Sequence, residues 1–512
     1  MVNFRVNAAV WSACLAFLFH GLVCGEALAA ASADQWFQLQ TRHFTIFSNG
    51  RVDDVRQLAV RLEQFRQAYS VLAGAQAVVS VPIIVMAFSN SDSFRPFQPI
   101  YQGKPQAVAG FFQRDMDENL IAVNLKAIES GSMEVIFHEY THLLMRHNDR
   151  IWPLWLKEGM AEVYSTFAID NNRVCLGLAK THHLEFLRDH PLMPLHELFN
   201  VSHDSPQYNE RDQRGTFYAQ SWALARYLVL GDNPVRKTQF GIFARQLREG
   251  VRAEDAFTDA FRTDPASMEL ELKQYLARGK FEPLCYNVKT TLNPGQSFST
   301  QHVLSQVEVL FQQGNLLVHC NRLDEAEKYF KRAQQLAPES ARPSEGLGLL
   351  AGRRKNHQQA IAYFEQAIAQ RSFSFRVHFG YARELYSTAT EGNIAVRGLS
   401  PEIEQKVRGS LQRAIQLMPL FAPSHYLLGV IELAHSENLV QAAKHLSRAL
   451  ELEPDNKGYL LAFAGLQIER REYAAARQTL ASLLRPEVDP EVRRRAGSLL
   501  QALDESTKMK KP

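Results

Sequence analysis

Ser132-Met133-Glu134-Val135-Ile136-Phe137-His138-Glu139-Tyr140-Thr141-His142-Leu143-Leu144 decides how the N-terminal half of this 512-residue chain is read. The stretch is apolar except at a few positions and holds no Gly or Pro, so it reads as a buried helix. On a helix, residues i and i+4 share a face, which lets His138 and His142 aim imidazole nitrogens at one point. Glu139 sits about 100° around the helix, beside any water held there. A buried helix tolerates two His and a Glu poorly unless they are paired or bind metal. The HExxH spacing therefore points to a metal centre.

The next apolar stretch supplies the missing ligand. Pro153-Leu154-Trp155-Leu156-Lys157-Glu158-Gly159-Met160-Ala161-Glu162 reads as a helix with Pro at its start and two Glu on one face. Glu158 would complete a His₂Glu set, which leaves a fourth position for water, the arrangement of catalytic zinc. Glu162 would take the other ring N–H of a ligand His and fix its tautomer. Gly159 and Ala161 would let the two helices approach closely. His182 and His183 are adjacent and face different ways, and His196-Glu197 has Asn200 where a second His would stand, so these pairs read as surface or packing residues.

Upstream, Phe44 to Phe47, Val81 to Met86 and Leu120 to Asn124 read as strands, with Val55 to Leu72 at helical spacing between the first two. Asp117-Glu118-Asn119 reads as a turn between strands, and Gly110-Phe111-Phe112 as an edge strand or a strand end. From Ser132 to about Gly279 helical periodicity dominates. The fold class expected is α+β: a sheet-bearing lobe over 34–130 and a helical lobe with the metal site over 131–285.

Leu292-Asn293-Pro294-Gly295 breaks the pattern and marks a linker over 286–301. An all-α solenoid is expected over 302–505. There Gly314, Ala326, Phe330, Ala333 and Pro338 keep the spacing of a tetratricopeptide repeat, and Gly348, Ala360, Phe364 and Ala367 repeat it 34 residues on. Four to five such units are expected, stacked so that a concave face is left open.

The HExxH segment and Trp155-Leu156-Lys157-Glu158-Gly159-Met160-Ala161-Glu162 together resemble the gluzincin zinc metallopeptidases, the clan of thermolysin and the zinc aminopeptidases. More narrowly they resemble bacterial peptidase MA-like proteins, which often carry tetratricopeptide repeats. That resemblance implies Zn²⁺ as cofactor, His138, His142 and Glu158 as its ligands, and Glu139 as general base. It also implies a downstream Tyr or His as oxyanion donor, for which Tyr218 is the candidate. The Gly-x-Met-Glu-Asn of the aminopeptidases has only a loose echo in Met116-Asp117-Glu118-Asn119.

Bulk properties agree with a folded, two-part chain: 46% of residues are hydrophobic and 22% charged, and the formal charge is only +3. Outside the Lys508 to Lys511 tail no basic block suggests a nucleic-acid partner. Arg5, the apolar run Ala8 to Val23 and Ala27-Leu28-Ala29 read as a signal peptide over 1–29, with no membrane-spanning segment after its cleavage. Export would leave Cys175, Cys285 and Cys320, enough for at most one disulfide. The function expected is an exported zinc metallopeptidase, periplasmic or secreted, acting on a protein or peptide, with a protein partner on the repeat groove. The alternative is an inactive metallopeptidase fold that serves as a platform for a repeat-based binding protein.

Overall fold

The computed structural model describes residues 35–73, 79–101, 104–106, 108–130, 132–145, 152–170, 173–202, 204–209, 211–287, 300–390, 399–434, 438–484 and 488–508. The signal peptide expected over 1–29 lies outside these residues, as do 288–299 of the expected linker.

Alternating Phe, Gln, Leu and Gln form β1 (Phe37–Gln40), and β2 (Phe44–Ser48) follows after a tight turn. The amphipathic α1 (Val52–Ala73) carries Asp53 and Asp54 in its first turn, where acidic side chains complement the helix dipole. It buries Val55, Leu58, Ala59, Leu62 and Phe65 at helical spacing. Strand β3 (Ile83–Phe88) is buried at every position, as its unbroken apolar run predicts. A small pair, β4 (Ile100–Tyr101) and β5 (Lys104–Pro105), precedes the hairpin β6 (Gly110–Arg114) and β7 (Asn119–Asn124). In the main sheet β2, β3 and β7 run parallel, while β6 pairs antiparallel with β7 and forms one edge.

The helical lobe opens with α2 (Ser132–Met145) and α3 (Leu154–Ser165), the two helices read from the sequence. It is not wholly helical. Strands β8 (Phe167–Asp170), β9 (Arg173–Leu176) and β10 (Leu284–Asn287) form a second sheet, in which a Cys175–Cys285 disulfide joins neighbouring strands. Between them, α4 (Thr181–Asp189) and α5 (Arg211–Leu230) pack with the helices Leu195–Phe199, Pro234–Arg248, Ala253–Phe261 and Pro265–Arg278. Ile169-Asp170 and Arg173-Val174 were too short a signal for the sequence to betray the hairpin.

The boundary before the repeats also differs from the expectation of a plain linker over 286–301. Strand β10 covers its start, and β11 (Thr300–Val303) joins the main sheet antiparallel to β1, giving the order β11-β1-β2-β3-β7-β6. Five helix pairs follow: α6 (Gln306–His319) with α7 (Leu323–Leu336), α8 (Ala341–Arg353) with α9 (His357–Ala369), α10 (Phe375–Thr390) with α11 (Pro401–Leu417), α12 (Ala422–Ala434) with α13 (Leu439–Leu452), and α14 (Lys457–Glu469) with α15 (Tyr473–Ser482). Helix α16 (Pro490–Lys508) caps the stack. The glycine spacing has a steric cause. A Cβ on Gly314 would stand 2.6 Å from the Phe330 ring, and one on Gly348 2.7 Å from the Phe364 ring.

Both faces of the main sheet are covered, by different parts of the chain. One face packs Ile46, Val85 and Ile121 against α1 and against Ile136, Phe137 and Tyr140 of α2. The other packs Phe47, Ile84, Met86 and Leu120 in one cluster with Leu316, Leu317, Phe330 and Leu347 of the first repeats. A polar clamp adds to this junction. The turn between β6 and β7, read from sequence as an ordinary turn, places Asp117 and Glu118 against the repeats. Arg376 donates to Asp117 at 2.8 Å and to Glu118 at 3.1 Å, and Asn315 donates to Glu118. Burial works against the charge on Asp117, but the Arg376 guanidinium, together with His319 and Arg383, holds the carboxyl below its usual range.

Removing the Arg376 guanidinium leaves two carboxylates buried without their cation, which in such settings costs about 3–5 kcal/mol. Arg376→Ala is thus expected to lower the urea midpoint of the full chain markedly. A midpoint equal to that of the intact protein would show that the clamp contributes nothing to the junction.

Candidate metal centre

Helix α2 is held by its apolar face. Phe137 stacks on Phe65 of α1 with ring centroids 4.3 Å apart, and the buried Tyr140 hydroxyl accepts a 3.0 Å bond from Arg66. With that face fixed, His138 and His142 turn the other way, and their Nε2 atoms lie 3.2 Å apart. Helix α3 brings Glu158 Oε2 to 3.3 Å from each of them. Tetrahedral zinc with bonds of about 2.0–2.1 Å sets its ligand atoms about 3.3 Å apart, so the three donors stand at the spacing one such ion requires.

The charges fit as well. Burial opposes a charge on His138, yet its bonds to Glu158 and Glu162 raise its pKa to about 10. Burial would push Glu158 up, but the bonds from His138 and His142 bring it down to about 2. The cluster thus asks for positive charge at the point where the three donors converge, which a divalent cation supplies.

Glu162 stands behind His138, as read from the sequence. Its Oε1 lies 3.2 Å from His138 Nδ1, which leaves Nε2 to face the centre. The carboxylate is held in turn by Lys180 and by His183 Nε2 at 3.2 Å. Burial would raise the Glu162 pKa, and the bonds from His138 and His183 with the charge of Lys180 bring it well below the usual carboxylate range. His183, read from the sequence as a surface or packing residue, packs its ring 5.6 Å from that of Trp222 and also reaches Glu162. It is buried on α4 and completes the support of His138, while its neighbour His182 is exposed.

Gly159 serves a different contact from the one expected. A Cβ there would stand 2.3 Å from the Ser221 carbonyl oxygen and 2.8 Å from Ala225 Cβ, so the close approach is between α3 and α5 rather than between α3 and α2. That packing seats α3 and thereby fixes Glu158. Tyr208, on the short helix Pro206–Asn209, donates to Glu158 Oε1 at 3.4 Å and was not visible in the sequence as a site residue.

Glu139 and Tyr218 both line the cavity that holds His138, His142 and Glu158. The Tyr218 ring centroid is 6.3 Å from that of His138. Trp222, four residues on along α5, is fully buried, whereas Tyr218 is half-buried and lines the cavity. The cavity, about 1160 Å³, is also lined by residues of the repeats, among them Phe379, Arg383, Tyr426 and Tyr459. A second group, Asp115, Asp117 and His319, lies at the junction, but Arg353 pairs with Asp115 and Arg376 with Asp117, so guanidinium groups already supply its cations.

Two family models, each described as a tetratricopeptide repeat, match residues 305–372 and 433–502. These residues form helices α6 to α9 and the end of α12 to α16, with the paired packing that the model describes. The C-terminal half carries tetratricopeptide repeats. Proteins with such repeats bind protein or peptide partners. Among solved structures, the chain is similar to pilF of Pseudomonas aeruginosa, at 21% identity over 34% of this chain and 74% of that one, with a TM-score of 0.29. It is also similar to TTC0263, a repeat protein of Thermus thermophilus, at 20% identity over 38% of this chain and 99% of that one, TM-score 0.29. For yeast Tom70 the identity is 12% over 75% of this chain and 87% of that one, TM-score 0.29. Likeness at this level adds no support of its own. No curated protein matches the chain. Both family matches fall within the repeats, and the centre on α2 and α3 stands on its geometry.

Replacing Glu162 by Gln removes the charge behind His138 and lets either tautomer of the ring form. Such changes typically cost about 10- to 100-fold in metal affinity. Competition between Glu162→Gln protein and a chromogenic chelator for Zn²⁺ should show a loss of that size, whereas an unchanged affinity would assign Glu162 to packing alone.

Proposed function

We propose that the protein is an exported zinc metallopeptidase that hydrolyses peptide bonds. One observation carries this reading: His138, His142 and Glu158 converge within 3.2–3.3 Å of one another in the lining of a cavity that Glu139 also lines. When bound, zinc would supply a Lewis acid that polarises a carbonyl and lowers the pKa of water.

The remaining roles belong to the chain. Glu139 accepts the proton of the attacking water as its oxygen bonds to the carbonyl carbon. It then delivers that proton to the departing amine nitrogen as the C–N bond breaks, so the products are a carboxylic acid and an amine. Tyr218 is the candidate hydroxyl donor to the developing oxyanion. Glu162, held by Lys180 and His183, keeps the Nδ1 proton on His138, and Tyr208 steadies Glu158. The repeats then serve in recruiting substrate or a protein partner.

Export is supported by the signal-like N-terminus and by the Cys175–Cys285 disulfide, a bond that persists in oxidising compartments. Among the described residues no helix is long and apolar enough to cross a membrane. A second reading, a repeat-based binding protein built on a catalytically silent platform, draws on the repeat matches over 305–372 and 433–502.

The two readings part on Glu139→Gln, which keeps the carbonyl oxygen and the size of the side chain but cannot carry a proton. Casein hydrolysis by the zinc-loaded protein should fall by at least about 100-fold in this variant, with zinc content unchanged. Hydrolysis at the intact protein's rate would sink the peptidase mechanism. Full function in cells expressing only Glu139→Gln would favour the silent platform.

A further inference from the structure

The repeats stand closer to the centre than a remote recruiting arm would. Their first helices, α6, α8, α10, α12 and α14, meet the first half of the chain in two ways. Asn315 on α6 and Arg376 on α10 hold the β6–β7 turn of the chain itself. That clamp holds α10, which carries Phe379 and Arg383 in its following turns. From α10 onward the first helices line the cavity of the centre, through Phe379, Arg383, Tyr426, Leu427 and Tyr459, together with His138 and Glu139.

We infer that this later face is the specificity-determining wall of the centre, and that it binds an extended polypeptide substrate through an apolar or aromatic side chain seated against Tyr426 and Tyr459. The inference rests on the peptidase reading for the chemistry, but concerns binding.

Four observations point to that ligand. The cavity, about 1160 Å³, exceeds the roughly 300–1,000 Å³ usual for small-molecule sites, so it has room for several residues of a chain. Its wall is aromatic: Tyr426 and Tyr459, from successive repeats, stack with centroids 4.6 Å apart, and the Arg383 guanidinium lies 5.7 Å from the Phe379 centroid. Such surfaces gain most from apolar and aromatic side chains, while their polar ends suit backbone amides. Charged groups of both signs, Arg383 and Lys157 with Asp115 and Glu453, line the rest, so a strongly acidic or basic ligand gains no net attraction. Edge strand β6 flanks the same cavity through Phe112 and Arg114 and has β7 as its strand partner on one side, which favours an extended chain beside it.

The test uses the full-length, zinc-loaded Glu139→Gln protein, which retains the ligands and does not consume its probe, with unfolded β-casein as that probe. In this background Tyr426→Ala should weaken casein binding by about tenfold or more, as truncation of an anchoring aromatic does. Arg383→Lys, which keeps a cation beside the buried Glu384 but removes the planar guanidinium near Phe379, should weaken it too and decides the matter if Tyr426→Ala misfolds. Val440→Ala, on the exposed outer helix α13, should change nothing. In the active protein the Tyr426→Ala change should also shift the set of casein bonds cleaved. Equal binding by all variants, or no casein binding by the parent, would overturn the inference. Casein bound through Tyr426 but left uncut by the intact protein would uphold the wall and sink the peptidase reading.

Discussion

The main sheet has two apolar faces, and everything else in the molecule follows from how they are covered. Every residue of β3 and of β7 is buried. At about 25 cal/mol per Å² of apolar surface removed from water, neither face could be left open. Helices α1 and α2 cover one face, and the first repeats cover the other. The repeats are therefore part of the core of the first half, not a module on a tether. Because α2 is one of the covering helices, the packing that closes the sheet also aims His138 and His142.

The centre is a buried polar network, and such networks are stable only when every member is satisfied. Here the chain of support runs from Lys180 and His183 to Glu162, from Glu162 to His138, and from His138 and His142 to Glu158. Each carboxylate answers an imidazole or ammonium, and the three innermost donors remain turned toward one point. A set of polar groups this costly to bury, in the lining of a cavity, marks a candidate functional site.

Much of this was legible in the sequence because it depends on local spacing. The i, i+4 pair His138 and His142, the pair Glu158 and Glu162, and the Gly and Phe positions of the repeats are periodic signals on single helices. What sequence spacing could not convey is what meets across the fold. His183 reaches Glu162 from 21 residues on, and Tyr208 reaches Glu158 from 50 residues on, with no motif joining them. Gly159 announced a close approach but not that α5 was the helix approached. Strands β1 and β11 are short and half polar, and pair over more than 250 residues, so only the folded sheet shows them together. The Asp117-Glu118 turn looked ordinary because its partners, Arg376 and Asn315, lie in the other half of the chain.

The central claim is that two imidazoles and a carboxylate of this chain hold one zinc ion. X-ray absorption at the zinc K-edge, on full-length protein loaded with one equivalent of Zn²⁺, reads the ligand set directly. The account predicts a four-coordinate ion with only nitrogen and oxygen neighbours at about 2.0–2.1 Å, including the multiple-scattering pattern of two imidazoles. Sulfur at about 2.3 Å, a single imidazole, or zinc removed by simple buffer exchange would contradict it.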